Sequence, residues 1–250
     1  MAQYKRYLPH ILVLFSFIVI SLLYFSPVLQ GKMIFQSDIV QYTGMAKEQN
    51  DFRAQTGEEP YWTNAAFGGM PTYQLGANYP HNYVKKLDSV LRFLPRPADY
   101  LFLYFLGFYI LLLCLKLDFK LAFLGALAFG FSTYLIIILG VGHNAKAHAI
   151  AYMPMVLGGI ILTFRQKFWL GGILLAIAMA LEIGANHFQM TYYLLLLVIV
   201  LGIAYLVDAY RKGLVPQYFK ALGVMVIAVI LAIGANATNL LATQEYTQFS

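Results

Sequence analysis

Read for hydropathy alone, this 250-residue chain alternates long apolar runs with short polar breaks. The runs cover residues 8–29, 100–115, 121–139, 149–164, 168–183, 190–207 and 219–235. A helix needs roughly 20 residues, and at least about 17, to cross the hydrocarbon core of a bilayer. The second, fourth and fifth runs reach that length only with flanking residues, and the pattern predicts seven spans. The first run follows Lys5 and Arg6 and continues for 22 residues without a small-residue cleavage site, so it is expected to be a retained signal anchor.

Residues 30–98 are the one sizeable segment between runs. Ser37 is placed to cap a helix from Asp38 towards Arg53, with Ile39, Tyr42, Ala46 and Phe52 on one face and Asp38, Gln41 and Glu48 elsewhere. Gly57-Glu58-Glu59-Pro60 should end it. Residues 61–73 have neither helical nor strand periodicity, and Gly68-Gly69 with Pro71 predict a fixed irregular loop. From His81 to Leu94 the positions Tyr83, Val84, Leu87, Val90, Leu91 and Leu94 form a helical apolar stripe opposite Lys85, Lys86, Asp88 and Arg92. That helix is expected either in the membrane interface or against the rest of the loop. The chain thus divides into an anchor helix (1–29), a helical outer loop (30–98), a six-helix bundle (99–235) and the start of a further outer segment (236–250).

Composition agrees with the pattern. Hydrophobic residues are 60% and charged residues 11% of the chain, against about 25% charged in a soluble domain. The fold class is all-α integral membrane. With the N-terminus in the cytoplasm, Lys5, Arg6, Lys116, Lys120, Arg165, Lys167, Arg211, Lys212 and Lys220 fall inside, and Lys146 alone lies in a short outer loop. This satisfies the positive-inside rule and makes the net charge of +6 topogenic, with no nucleic-acid footprint. Cys114 is the only cysteine, so no intramolecular disulfide can form.

In that topology four polar clusters share the outer side: Asp38; His143-Asn144-Ala145-Lys146-Ala147-His148; Glu182 with Asn186-His187; and Asn236 to Glu245. Asp38 also suits a first helical turn on dipole grounds alone. In a helix, Asn144 and His148 share one face and His143 and Lys146 another. Glu182 needs compensation at membrane depth, and Asn186 and His187 are the local candidates. Gly184-Ala185-Asn186 recurs as Gly234-Ala235-Asn236, as helix-ending chemistry would. Asp99, after Pro95-Arg96-Pro97, is expected to cap the second span. Asp38, Glu182 and a histidine are metal-ligand types without a fixed spacing, so a divalent metal cofactor stays open.

One span, an early acidic residue, two helices in the first outer loop and six closely connected spans together resemble the conserved module of GT-C glycosyltransferases. Phe35-Gln36-Ser37-Asp38 followed by Phe67-Gly68-Gly69-Met70-Pro71 is similar to the YfhO-like family of bacterial membrane proteins, grouped with those enzymes. The resemblance implies a bacterial cytoplasmic membrane enzyme that moves a sugar from a polyprenyl-phosphate carrier to an envelope glycan or polymer on the outer face. It makes Asp38 the catalytic acidic residue of the first outer loop. A leaving lipid phosphate would be held by His143, Lys146 and His148, and substrate by Asn144, Glu182, Asn186, His187, Asn236 and Glu245. Family members are longer, so the chain is expected to be the N-terminal part of such an enzyme. The alternatives are a transporter or flippase of envelope precursors, which would place charges near mid-membrane, and a non-catalytic membrane scaffold.

Overall fold

The structure, a computed structural model, describes residues 2–248, without the side chains of residues 2–6 and 74. The side chains of Lys5 and Arg6, and Phe249 and Ser250 of the predicted outer tail, lie outside the described residues. The fold is helical: thirteen α-helices, one 3-10 turn and one two-stranded hairpin among the described residues. Four helices are long and apolar enough to cross a membrane: α1 (Ala2–Tyr24) over Tyr7–Tyr24, α9 (Asn144–Phe164), α11 (Phe188–Lys212) and α12 (Val215–Ala235). The apolar helices α6 (Ala98–Cys114) and α10 (Phe168–Gly184) are shorter, at 17 residues each.

The third apolar run is not one helix. It divides into α7 (Phe119–Gly130) and α8 (Thr133–Val141), bent by 48°. Phe131 and Ser132 leave the helix, Ser132 in extended conformation at the N-cap position of α8. Hydropathy continues across the bend, which is why the pattern predicted a single span.

Helix α9 lies at the centre, between α6 and α10. Alanine and glycine permit the close approach. A Cβ at Gly107 would lie 2.3 Å from the Ala151 carbonyl oxygen, and one at Gly159 2.7 Å from the Leu175 backbone nitrogen. Backbone cannot swing aside as a flexible side chain can. Gly159→Val is therefore expected to cost about 1–3 kcal/mol or more through overpacking. Thermal unfolding in detergent should show it, with Gly223→Ala unchanged as control because a Cβ there meets nothing within 4 Å.

The predicted helix from Asp38 to Arg53 is two helices, α3 (Ser37–Met45) and α4 (Lys47–Thr56), jointed at the buried Ala46. Ser37 is not the cap; extended Gln36 holds that position, and its side-chain amide donates to the Leu139 carbonyl at the end of α8. Gly57, at φ 75°, ends α4 as expected. The stretch read as irregular contains β1 (Trp62–Thr63) paired antiparallel with β2 (Met70–Pro71), then a 3-10 turn, Thr72–Leu75. Glu48 fixes it by accepting from the Thr63 hydroxyl and from the amides of Asn64 (2.9 Å) and Ala65 (3.1 Å). These bonds hold the Glu48 carboxyl below its ordinary range, the Thr63 bond contributing most.

Helix α5 (Tyr83–Leu91) packs on α10. Its buried side is only part of the predicted apolar stripe. Val84 and Leu91 turn inward beside the buried Asp88, whereas Tyr83 and Val90 are each 69% exposed.

Candidate functional site

Two polar centres form at one end of the bundle. The first sits where α3 meets the α8–α9 turn. Gly142, at φ 91°, lets the chain reverse against Gln36. His143 follows at the N-cap position of α9, and its Nδ1 lies 2.7 Å from Asp38 Oδ2. Both side chains stay open, 51% exposed for His143 and 45% for Asp38. A carboxylate that accepts the Nδ1 hydrogen leaves Nε2 as the basic nitrogen. The pair is thus suited to taking a proton from a bound hydroxyl.

Lys146, one turn along α9, lies 5.2 Å over the Tyr134 ring. It and His143 are close enough to His187 to help burial, the larger cause, keep that imidazole's pKa below its ordinary value. His187 Nδ1 and Asn144 Nδ2 are buried and have no hydrogen-bond partner among the described residues. Asn144 borders a groove with Phe35, Gln36 and Arg96.

The second centre is a buried ionic network that ties α5 to the bundle. Asp88 Oδ1 accepts from the Tyr152 hydroxyl at 2.7 Å and pairs with His148 Nε2; Oδ2 accepts from Arg92 Nε at 2.9 Å. Arg92 also donates to Asp99 at 3.2 Å and to the Tyr100 hydroxyl at 3.1 Å. Asp88, Asp99, Tyr100, His148 and Tyr152 are all buried. Burial alone would raise the Asp88 pKa, but the His148 and Tyr152 bonds and the charges of His148 and Arg92 together hold it below the usual carboxylate value.

Above this network lies a cavity of about 230 Å³. Lys85, Asp88, Arg92 and His148 line it, with Asn186, Asn236, Asn239, Thr243 and Tyr73. The recurring Gly-Ala-Asn motif places two of these. Asn186 takes φ 57° just past the end of α10, while Asn236 follows α12 and donates to Ala180 O at 2.9 Å and Ala232 O at 3.0 Å. The two helix ends lie side by side, and both asparagines face one cavity.

The structure therefore brings Asp38 to His143, and His148 to Asn186 and Asn236. It corrects several assignments. His148 is committed to Asp88 instead of standing free for phosphate. Its predicted facial partner Asn144 borders the other centre. Glu182 is fully buried, and its carboxylate oxygens lie 3.0 and 3.1 Å from the Thr191 hydroxyl; neither Asn186 nor His187 bonds it. Glu245 is exposed on α13 (Ala237–Tyr246), outside the cavity lining. Asp99 is not the cap of the second apolar helix, a position held by Pro97; it lies in the first turn of α6 and anchors Arg92. No group of three metal-ligating side chains gathers among the described residues, so Asp38, Glu182 and a histidine do not meet.

Asp88, Arg92, Lys85 and Tyr152 escaped the sequence reading. The first three lay on the polar side of an amphipathic stripe, a side to which no function was assigned. One available signal was that Asp88 and Arg92 stand four residues apart, a spacing that pairs charges on a helix. Tyr152 gave none, being one tyrosine among 19. No protein-family model, curated protein or solved structure matches the chain.

Proposed function

We propose that this is a GT-C-like membrane glycosyltransferase of the bacterial cytoplasmic membrane. It transfers a sugar from a polyprenyl-phosphate carrier to an envelope acceptor on the outer face. Seven spans fit this reading: α1, α6, the bent α7–α8 pair, α9, α10, α11 and α12, with the N-terminus in the cytoplasm. The outward apolar residues of α11 and α12, among them Leu195, Val200, Ile203, Ile227 and Ile230, then face lipid.

The Asp38–His143 pair carries the proposal. The attacking acceptor hydroxyl gives its proton to His143 Nε2, and Asp38 fixes the Nδ1–H tautomer and stabilises the imidazolium. Asp38 thus supports the base, where the sequence reading made it the base itself. The C–O bond from the anomeric carbon to the carrier phosphate breaks as the new glycosidic bond forms. Lys146, the cation beside this pair, stabilises the departing phosphate. His148, bound to Asp88, takes no part.

The test is mass spectrometry of envelope glycans and polyprenyl-linked sugars in cells carrying the gene, wild type against Asp38→Asn at equal protein level. Loss of one glycan modification with accumulation of a lipid-linked sugar is expected. If neither changes, Asp38 serves no sugar transfer, the paired-base reading falls, and the transporter and scaffold readings move ahead.

A further inference from the structure

We infer that the cavity between α5, α10 and α13 is a binding site for a monosaccharide-sized polyol carrying one anionic group. Its volume, about 230 Å³, is below the roughly 300–1,000 Å³ of sites for drug-sized ligands and suits a single ring with one substituent. The lining sets the chemistry. Asn186, Asn239, Thr243 and Tyr73 make no side-chain hydrogen bond among the described residues, although all four border the cavity. Amides and hydroxyls that both donate and accept match sugar hydroxyls, which also do both. Asn236 adds an acceptor oxygen, because its amide hydrogens already serve two backbone carbonyls.

Charge narrows the ligand further. The ionic groups around the cavity are paired: Asp88 with His148 and Arg92, Asp99 with Arg92, and Glu59 with Arg53 at 2.6 Å. Lys85 is left over. Its ammonium has only the neutral Asn78 side-chain oxygen as partner among the described residues, so two of its three hydrogens remain for a ligand. A cavity-mouth ammonium with no directly bonded carboxylate has hydrogens to offer an anion. Two sources supply that chemistry, a sugar phosphate ester and a sugar carboxylate.

The inference concerns binding alone and stands apart from the Asp38–His143 chemistry. Glucuronate and glucose 1-phosphate are titrated calorimetrically into the full chain in lipid nanodiscs, with glucose and inorganic phosphate as comparisons. At least one anionic sugar is expected to bind about tenfold or more tighter than glucose or inorganic phosphate, the tighter of the two identifying the source. Lys85→Met should remove that advantage, with Lys85→Gln as substitute if the first variant does not fold. Asn239→Leu should weaken the sugar and leave its preference over glucose intact. Asp38→Asn should bind as wild type, so a loss of transfer is read separately from a loss of binding. The inference is overturned if neither anionic sugar binds, if inorganic phosphate binds as tightly, or if Lys85→Met and Lys85→Gln bind like wild type.

Discussion

An Asp38→Asn protein is expected to transfer sugar about 10²–10⁴-fold more slowly than wild type, the range associated with positioned proton transfer. Asparagine can offer its NH₂ to Nδ1 and so stabilise the tautomer in which Nδ1 is the acceptor. The imidazole would then present an N–H where a base is needed. Asp38 and His143 act as one unit at 2.7 Å, so their losses should not add. His143→Gln alone, and the double variant, are expected to fall within a fewfold of Asp38→Asn. The measurement is initial transfer rate in membranes with a polyprenyl-phosphate sugar donor. If the two losses multiply, the residues work independently and the paired-base mechanism fails.

The second large effect is on stability. Asp88→Ala leaves Arg92, His148 and Tyr152 buried without their shared acceptor, and breaking such a pair from one side costs about 3–5 kcal/mol. For a chain of this length that is a fall in Tm on the order of 10 °C. The pH dependence follows from the sign of the Asp88 shift. A carboxyl held below its unfolded value, about 3.9, contributes stability above that pH and loses it as pH falls through the lowered native value. The gap in Tm between wild type and Asp88→Ala should stay constant from pH 7 to about 4 and close below it. A gap that closes near neutrality would show that Asp88 does not govern the tether.

Much of the fold was legible because hydropathy reports burial in lipid and protein alike. The apolar runs became helices, and Gly57 and the Gly-Ala-Asn motifs ended theirs. What hydropathy cannot report is direction within an apolar setting. The bend at Phe131–Ser132 interrupts no apolar run, and the turned face of α5 has the same periodicity as the stripe that was read. The site was half visible for a related reason. Polar residues stood out wherever the chain is otherwise apolar, which picked out His143, Asn186 and Asn236, whereas Asp38 was singled out by the resemblance of its local sequence. Among residues 30–98, where polar residues are ordinary, Asp88 and Arg92 were simply the polar side of an amphipathic stripe. Their meaning depends on His148 and Tyr152, respectively 60 and 64 residues from Asp88, and no local pattern carries a partner at that distance. Glu182 was read as needing a partner, correctly, but Thr191 comes from the next helix.

Because Asn236 stands at the end of α12, packed on α10, its place in the cavity wall is set by helix phase. One residue added inside α12 would swing Asn236 through about 100° and advance it by about 1.5 Å, away from the Ala180 carbonyl. Changes of length inside α10 or α12 therefore reach the cavity directly. Changes in the turns at the opposite end of the bundle do not.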